Sequence, residues 1–451
     1  MRLPAFIKVI GVALLLAVVA CRGAAAIDIQ EVTSPGGITA WLVESHANPL
    51  IAVAIGFKGG TASDPADRQG LSELMSGLMD EGAGDIPSAA FQQQLADHGI
   101  RFGFEPSSDH YTGAMQFLTE DRDLAFDLLH LSLTSLRFDA EPIARMKGQF
   151  ESMIRQGETD PNEIAGRALD RLLFGDHPYG HAPMGSLASM EAITVADLQG
   201  FVKRTFARDR LYVAVVGDIT AAQLQPLLEK AFGDLPAKGE AVDVPEAKVD
   251  TSGGTVVIEQ DIPQSIVLFA QDGIKRDDPD FFAAYVANFA LGGGGFSSRL
   301  MNEVREKRGL AYGISSDLST YDHAGLIGGG VQTVNAKVGE VVSILKSEWA
   351  AMRNDGPTAE ELETAKTYLL GYYPRNFTTT AAAARTLLGI QLNDLGIDYV
   401  TRREHEIAAV TIEDVRRVAK RLFDPAKLAL VVVGKPEGVV ATRPAPPPAQ
   451  P

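Results

Sequence analysis

The sequence predicts an α+β protein of two homologous domains, each a mostly antiparallel sheet with helices packed on one face. Three observations lead there. The chain has 451 residues, of which 45% are hydrophobic and 22% charged, which is longer than one core usually organises. Two segments end alike. Ile193-Thr194 is followed by a helical pattern (Leu198, Phe201, Val202, Phe206) and an apolar strand from Leu211 that closes at Gly217. Val410-Thr411 is followed by Val415, Val418, Ala419 and Phe423, and by a strand from Leu428 that closes at Gly434. In both, the Thr stands 23 positions before the Gly, and Thr is a suitable N-cap for the helix it precedes. The two segments also open alike, with β-branched pairs of runs at Ile38 to Val43 and Ile51 to Phe57, and at Val256 to Glu259 and Ser265 to Ala270. Together these mark an internal duplication of a large unit.

From the N-terminus, Arg2 and Lys8 precede an apolar run from Val9 to Ala20 and the small residues Ala24, Ala25 and Ala26. This is the pattern of a secretory signal over residues 1–26, with a run too short to span a bilayer. Cys21 is the only cysteine; preceded by Val18, Val19 and Ala20, it resembles a lipobox, so a lipid-anchored form competes with a soluble form starting at Ile27. The soluble form is favoured, and neither form holds a cysteine pair for an internal disulfide. The formal charge is −17, and loss of Arg2, Lys8 and Arg22 makes it −20, which argues against nucleic acid and anionic membrane as partners.

A first domain is expected over 27–235, a polar linker with two prolines over 236–254, a second domain over 255–438 and a disordered tail over 439–451. Helical patterns run through Leu124 to Leu136, Pro142 to Gln156, Val338 to Met352 and Ala359 to Tyr372. Strands near the ends of each unit and helices in its middle give the α+β reading.

Phe57 to Thr61, the helix at Gly70 to Met79, His177 to Gly180 and the strand ending at Gly217 resemble the first half-unit of the inverted zincins, the pitrilysin and insulinase group of metallopeptidases. Gly292 to Leu300 and Val304 to Tyr312 continue the likeness, which covers nearly the whole mature chain and is similar to the half-size subunits of mitochondrial processing peptidase. Active members carry His-x-x-Glu-His on the helix that starts here at Gly70; two imidazoles bind zinc and the glutamate is the general base. The resemblance puts Glu73, Ser76 and Gly77 at those positions and Met153 at that of the third ligand. A thioether is a poor ligand for hydrolytic zinc, so no zinc is expected on this chain. The remaining reading of the helix is packing, with Leu71, Leu74, Met75 and Leu78 as a core stripe. Met153 then reads as a core residue beside Met146 and Phe150, and Glu73 with Asp80 as a solvated acidic face. His177 and His181 are four apart, but Pro178 and Gly180 break the helix a metal pair needs, and a structural turn is expected.

In the second domain, the resemblance implies that Arg305 and Tyr312 hold the substrate carbonyl; a guanidinium and a phenol are good donors to an oxygen gaining negative charge. Gly292, Gly293, Gly294 and Gly295 follow a helix, with no Gly-Lys-Ser/Thr after them, which excludes a phosphate loop. The resemblance implies close approach of substrate or a neighbouring element; a loose turn is the alternative. The function expected is that of a non-catalytic subunit of an exported zinc peptidase, inactive alone, giving Arg305 and Tyr312 to a zinc-bearing paralogous partner that acts on peptides. Alternatives are a peptide-binding or scaffold protein without hydrolysis and an autonomous zinc peptidase with unconventional ligands.

Overall fold

A computed structural model describes residues 27–240 and 242–447. The expected signal segment with Cys21, and the last four residues of the expected tail, lie outside the described residues. No described helix is long and apolar enough to cross a membrane.

The first sheet comprises β1 (Gln30–Thr33), β2 (Thr39–Glu44), β3 (Leu50–Lys58), β4 (Arg101–Pro106), β5 (His110–Leu118) and β6 (Leu211–Gly217) in the order β4-β5-β3-β6-β2-β1. The second comprises β7 (Gly254–Glu259), β8 (Gln264–Asp272), β9 (Ala311–Thr320), β10 (Gly325–Val334) and β11 (Ala429–Gly434) in the order β9-β10-β8-β11-β7. The second order repeats the first without its outermost strand. The two opening strands of each half, read as a pair in the sequence, are not neighbours. The last strand of the half inserts between them, with β6 parallel to β2 and antiparallel to β3, and β11 parallel to β7 and antiparallel to β8.

The repeated Thr and Gly have the same work in both halves. Thr194 accepts from the Asp197 amide while the Asp197 carboxylate accepts from the Thr194 amide, and Thr411 with Asp414 does the same. These reciprocal capping boxes satisfy the free amides of the following helices, α6 (Val195–Thr205) and α13 (Ile412–Leu422). Gly217 and Gly434 close their strands at φ +141° and +142°. A Cβ there would lie 2.1 Å from the Leu50 carbonyl oxygen and 2.4 Å from the Ser265 hydroxyl, so only glycine fits.

Each half packs its own helices on one sheet face. In the first these are α1 (Leu71–Ser76), α2 (Ser88–Asp97), α3 (Arg122–Thr134), α4 (Ala140–Gly157), α6 and α7 (Ala221–Phe232); in the second, α8 (Phe281–Asn288), α9 (Val338–Asp355), α10 (Ala359–Tyr372), α12 (Tyr399–Ala409) and α13. The opposite faces are also covered, and each by a helix from the other half. α5 (Pro161–Phe174) lays Ala165, Ala168, Leu172 and Leu173 on Ile266, Val431 and Val433 of the second sheet. In return, α11 (Thr380–Leu392) lays Ala384, Leu387, Leu388 and Leu392 on Ala52, Ala54 and Val216 of the first. β3 shows how the sequence permits this. Ile51, Val53, Ile55 and Phe57 face the home helices, and the small Ala52, Ala54 and Gly56 alternate with them. A Cβ on Gly56 would stand 3.0 Å from Leu392, so small residues let α11 sit close to the sheet.

The expected linker is bound down between Val244 and Asp250. Amides of Ala247 and Asp250 donate to the carbonyls of His323 and Leu173 at 2.9 and 2.7 Å, and Val244, Ala247 and Val249 pack on the α5 cluster. His177 holds it too. Its Nδ1 accepts from the Tyr179 amide at 3.1 Å, which leaves Nε2–H to donate to the Pro245 carbonyl at 2.8 Å. The first residues of the expected disordered tail are likewise held. The Thr442 hydroxyl accepts from the Thr255 amide at 2.8 Å, and Arg443 pairs with Asp250 at 2.9 Å. Edge strand β7 offers those free backbone groups, and polar composition alone does not reveal them.

Leu387, Leu388, Ile390 and Leu392 are each at most 7% exposed. At about 1.5–3 kcal/mol per buried side chain, uncovering them would cost as much as a whole domain's typical stability of about 5–15 kcal/mol. Residues 27–240 or 242–447 expressed alone will therefore give no cooperative thermal transition, and co-expression will restore one. A sharp transition from either fragment by itself would refute the exchange as a requirement for folding.

Candidate functional site

Helix α1 is built to be packed. Leu71, Leu74 and Met75 are fully buried and Leu78 is 2% exposed, so the expected core stripe is present, although the α-helix ends at Ser76 and turns continue the chain. Of the positions that the resemblance assigns to zinc and base, Gly77 faces α4 and Glu73 lies near Glu105 of β4. Glu73 is half-buried, and the Ser76 hydroxyl donates back to the Glu73 carbonyl at 2.7 Å. At Gly77 a Cβ would lie 2.4 Å from the Met146 methyl carbon and 3.2 Å from the Phe150 ring. α4 thus closes over the place where the second imidazole would project.

Two expectations for this region are corrected. Met153 is not a core residue; it is 48% exposed. Phe150 and Ile154 carry the buried stripe of α4, and Met153 lines an open groove of about 220 Å³ with Met184 and Gly185. Nor do Glu73 and Asp80 form a solvated face. Burial pushes the carboxyl pKa of both upward, with the neighbouring charge of Glu105 adding to the shift at Glu73. Zinc chemistry does not fit these residues. Glu73 is the only one of the four positions with an ionisable donor, Met146 fills the space at Gly77, and among the described residues no group of three or more His, Cys, Asp or Glu is placed to hold a metal.

Two carboxylates beside α1 were not singled out in the sequence. Asp64 accepts from both the amide and the hydroxyl of Ser72 at the start of the helix, and burial pushes its pKa up to about 7. Glu81, 8% exposed, accepts from the Ser88 hydroxyl at 2.6 Å and pairs with Arg145 of α4. This pair ties α4 to the segment after α1, so a buried charge is matched by a hydrogen-bonded cation. The eight-residue gap from Asp64 to Ser72 carries no motif, which hides the first contact.

In the second half, Arg305 and Tyr312 lie side by side. The guanidinium sits 4.7 Å from the Tyr312 ring centroid and 4.6 Å from that of Phe296, held between two rings. Tyr312 is 86% exposed. Gly292 to Gly295 are neither a phosphate loop nor a loose turn in form. Phe289–Gly293 is a π-helical turn, and a Cβ on Gly292 would meet the Ser316 hydroxyl of β9 at 2.3 Å, so the stretch lies directly against that strand. Where the halves meet there is also a charged cleft of about 940 Å³. Most of its cations are paired with carboxylates, Lys58 with Asp394 at 3.1 Å, Arg402 with Glu406 at 2.6 Å and Arg417 with Asp280 at 2.8 Å, while Arg276 donates to the Tyr399 hydroxyl at 2.6 Å and lies over the Phe281 ring.

Glu73→His with Gly77→His and Met153→Glu will not bind stoichiometric zinc by elemental analysis. Gly77→His alone will destabilise by about 1–3 kcal/mol, the usual cost of overpacking, and Met146→Ala will relieve part of it. Retained stability in Gly77→His would refute the packing account. A second prediction concerns Asp64. Its folded pKa lies above the unfolded value, so the native state binds the extra proton and loses stability as pH rises through about 7. Asp64→Asn will flatten that decline in denaturant midpoint between about pH 4 and 7; an unchanged slope would count against it.

The comparisons with known proteins agree with this geometry. Residues 40–186 match the family model described as Insulinase (Peptidase family M16), and residues 192–369 match that described as Peptidase M16 inactive domain. The chain is 29% identical to the Non-peptidase homolog YmxG of Helicobacter pylori, covering 94% of this chain and 97% of that protein. It is 24% identical to an uncharacterized zinc protease of Mycobacterium leprae, covering 89% and 91%. The crystal structure of a peptidase M16 inactive domain from Pseudomonas fluorescens superposes with a TM-score of 0.84 at 27% identity, covering 93% of this chain and all of that one. With both halves matched and a non-peptidase homologue and an inactive domain among its relatives, the chain belongs to the insulinase family of peptidases, M16, as a half-size, non-catalytic member.

Proposed function

We propose that the chain is the non-catalytic subunit of an exported zinc peptidase, offering Arg305 and Tyr312 to peptides whose hydrolysis takes place on a zinc-bearing paralogue. The observation that carries this reading is a contrast between the halves. Met146 and Phe150 occupy the lost imidazole position in the first, while the second keeps a guanidinium and an exposed phenol side by side. Both are donors to a carbonyl oxygen that gains charge during amide cleavage. Half-size members of this family pair with paralogous subunits, and the chain is 24% identical to the mitochondrial-processing peptidase subunit beta of Blastocladiella emersonii, covering 90% of this chain. Export to the periplasm rests on the sequence of residues 1–26, with lipid attachment at Cys21 as the alternative route.

Co-expression with a His-x-x-Glu-His paralogue encoded nearby will yield a complex with one zinc per pair and peptide cleavage that neither chain shows alone. Arg305→Ala will lower kcat/KM of the pair by about 100-fold, the scale for losing one transition-state donor, with the complex intact. Failure to form a complex or to gain cleavage would defeat the proposal; peptide binding without turnover in any pairing would favour a scaffold instead.

A further inference from the structure

Among the described residues, four large aromatic side chains stand exposed: Tyr312 at 86%, Phe296 at 63%, Tyr368 at 49% and Tyr372 at 46%. All four belong to the second half, and contacts link them into one strip. Arg305 lies between the rings of Tyr312 and Phe296. Phe296 ends the glycine stretch, where a Cβ on Gly294 would strike the Phe289 ring at 2.8 Å. The Phe289 centroid is 5.0 Å from that of Tyr368, which stacks on Tyr372 at 5.5 Å and 10°. Arg375 lies 5.1 Å over Tyr372 and ends the strip.

Between the two aromatic ends the surface is bare backbone. Gly293 and Gly295 are exposed, and the space a side chain would need at Gly292, Gly293 and Gly294 is already taken by Ser316, Asn288 and Phe289. The rings are fixed by their stacks before any ligand arrives, which lowers the entropy lost on binding. Tyr372 also has a positional meaning. Counted from the first residue of its helix, it stands in α10 where Met153 stands in α4, so the strip reaches the second half's counterpart of the lost third-ligand position.

We infer that this strip is a specificity surface for extended peptides with aromatic or large aliphatic side chains, in which Phe296, Tyr368 and Tyr372 receive side chains on either side of the bare glycine backbone. The inference rests on the substrate-contact reading of Arg305 and Tyr312 and names the substrate class for that site. An extended chain fits better than a globular partner. Two guanidinia and a glycine trough interrupt the rings, whereas a stable subunit interface needs a continuous apolar centre. Arg305 is paired with Glu306 at 3.5 Å, which leaves Arg375 over Tyr372 as the cation at the far end of the strip and favours an acidic or neutral residue of the peptide there.

The test uses the mature chain and two fluorescein-labelled peptides of equal length and charge, one with phenylalanine at alternate positions and one with alanine there, read by fluorescence anisotropy. The phenylalanine peptide will bind about tenfold tighter, the scale of one or two ring contacts. Tyr368→Ser with Tyr372→Ser, and separately Phe296→Ser, will each reduce that ratio several-fold without altering the melting temperature. Arg305→Gln will weaken both peptides and leave the ratio alone. A native chain with no preference, no binding of either peptide, or a preference that survives both sets of variants overturns the inference. So does loss of association with the zinc-bearing paralogue at unchanged ratio, since the strip would then be a subunit contact. If Arg305→Gln changes neither affinity, the substrate-contact reading fails, whatever the ratio does.

Discussion

The rest of the structure depends on the reciprocal covering of two sheets. Each central strand is buried on both faces, and the second face is closed by a helix that the other half donates. The other sheet is the main apolar surface for α5 and for α11, so the hydrophobic gain of one exchange reinforces the other. This couples the halves far more tightly than a covalent linker would. The linker then adds positional detail, through His177 and Pro245, to an arrangement that burial has already fixed.

On this frame the two halves have diverged in opposite directions. The first closes the surroundings of α1 by packing and pairing: Gly77 receives Met146, burial raises the pKa of Glu73, and Arg145 neutralises Glu81. The second has kept its aromatic groups at the surface, where the guanidinium of Arg305 is held by two rings and by Glu306 at 3.5 Å. A cation held in this way is fixed in place while part of it still faces solvent. The same duplication thus yields one closed face and one open one.

Much of this was legible in the residues. The Thr and Gly pairs gave the duplication because a capping box and a positive-φ strand end each demand particular residue types. The core stripe of α1 followed from its spacing, as did the bounds of α10 and the start of α9, which runs three residues further than its apolar pattern, to Asp355. The exchange of α5 and α11 was not seen, because hydrophobic period reports that a face is buried but not by which helix. The alternation of Ala52, Ala54 and Gly56 with large residues was the available signal for a close second layer. Met153 was misplaced because helical phase puts it beside Phe150, while the end of its covering layer depends on residues around Met184 that are distant in sequence. The hydrogen bonds of the linker and of the first tail residues leave no mark in composition, since their partners, Leu173 and His323 for the one and Thr255 on an edge strand for the other, are distant in sequence.

The contact at Gly77 bears on any attempt to rebuild a metal face on α1. An imidazole placed there meets the Met146 methyl and the Phe150 ring, so a second change, in α4, is needed to make room for it. Volume around the helix, as well as ligand chemistry, stands between this chain and a bound cation.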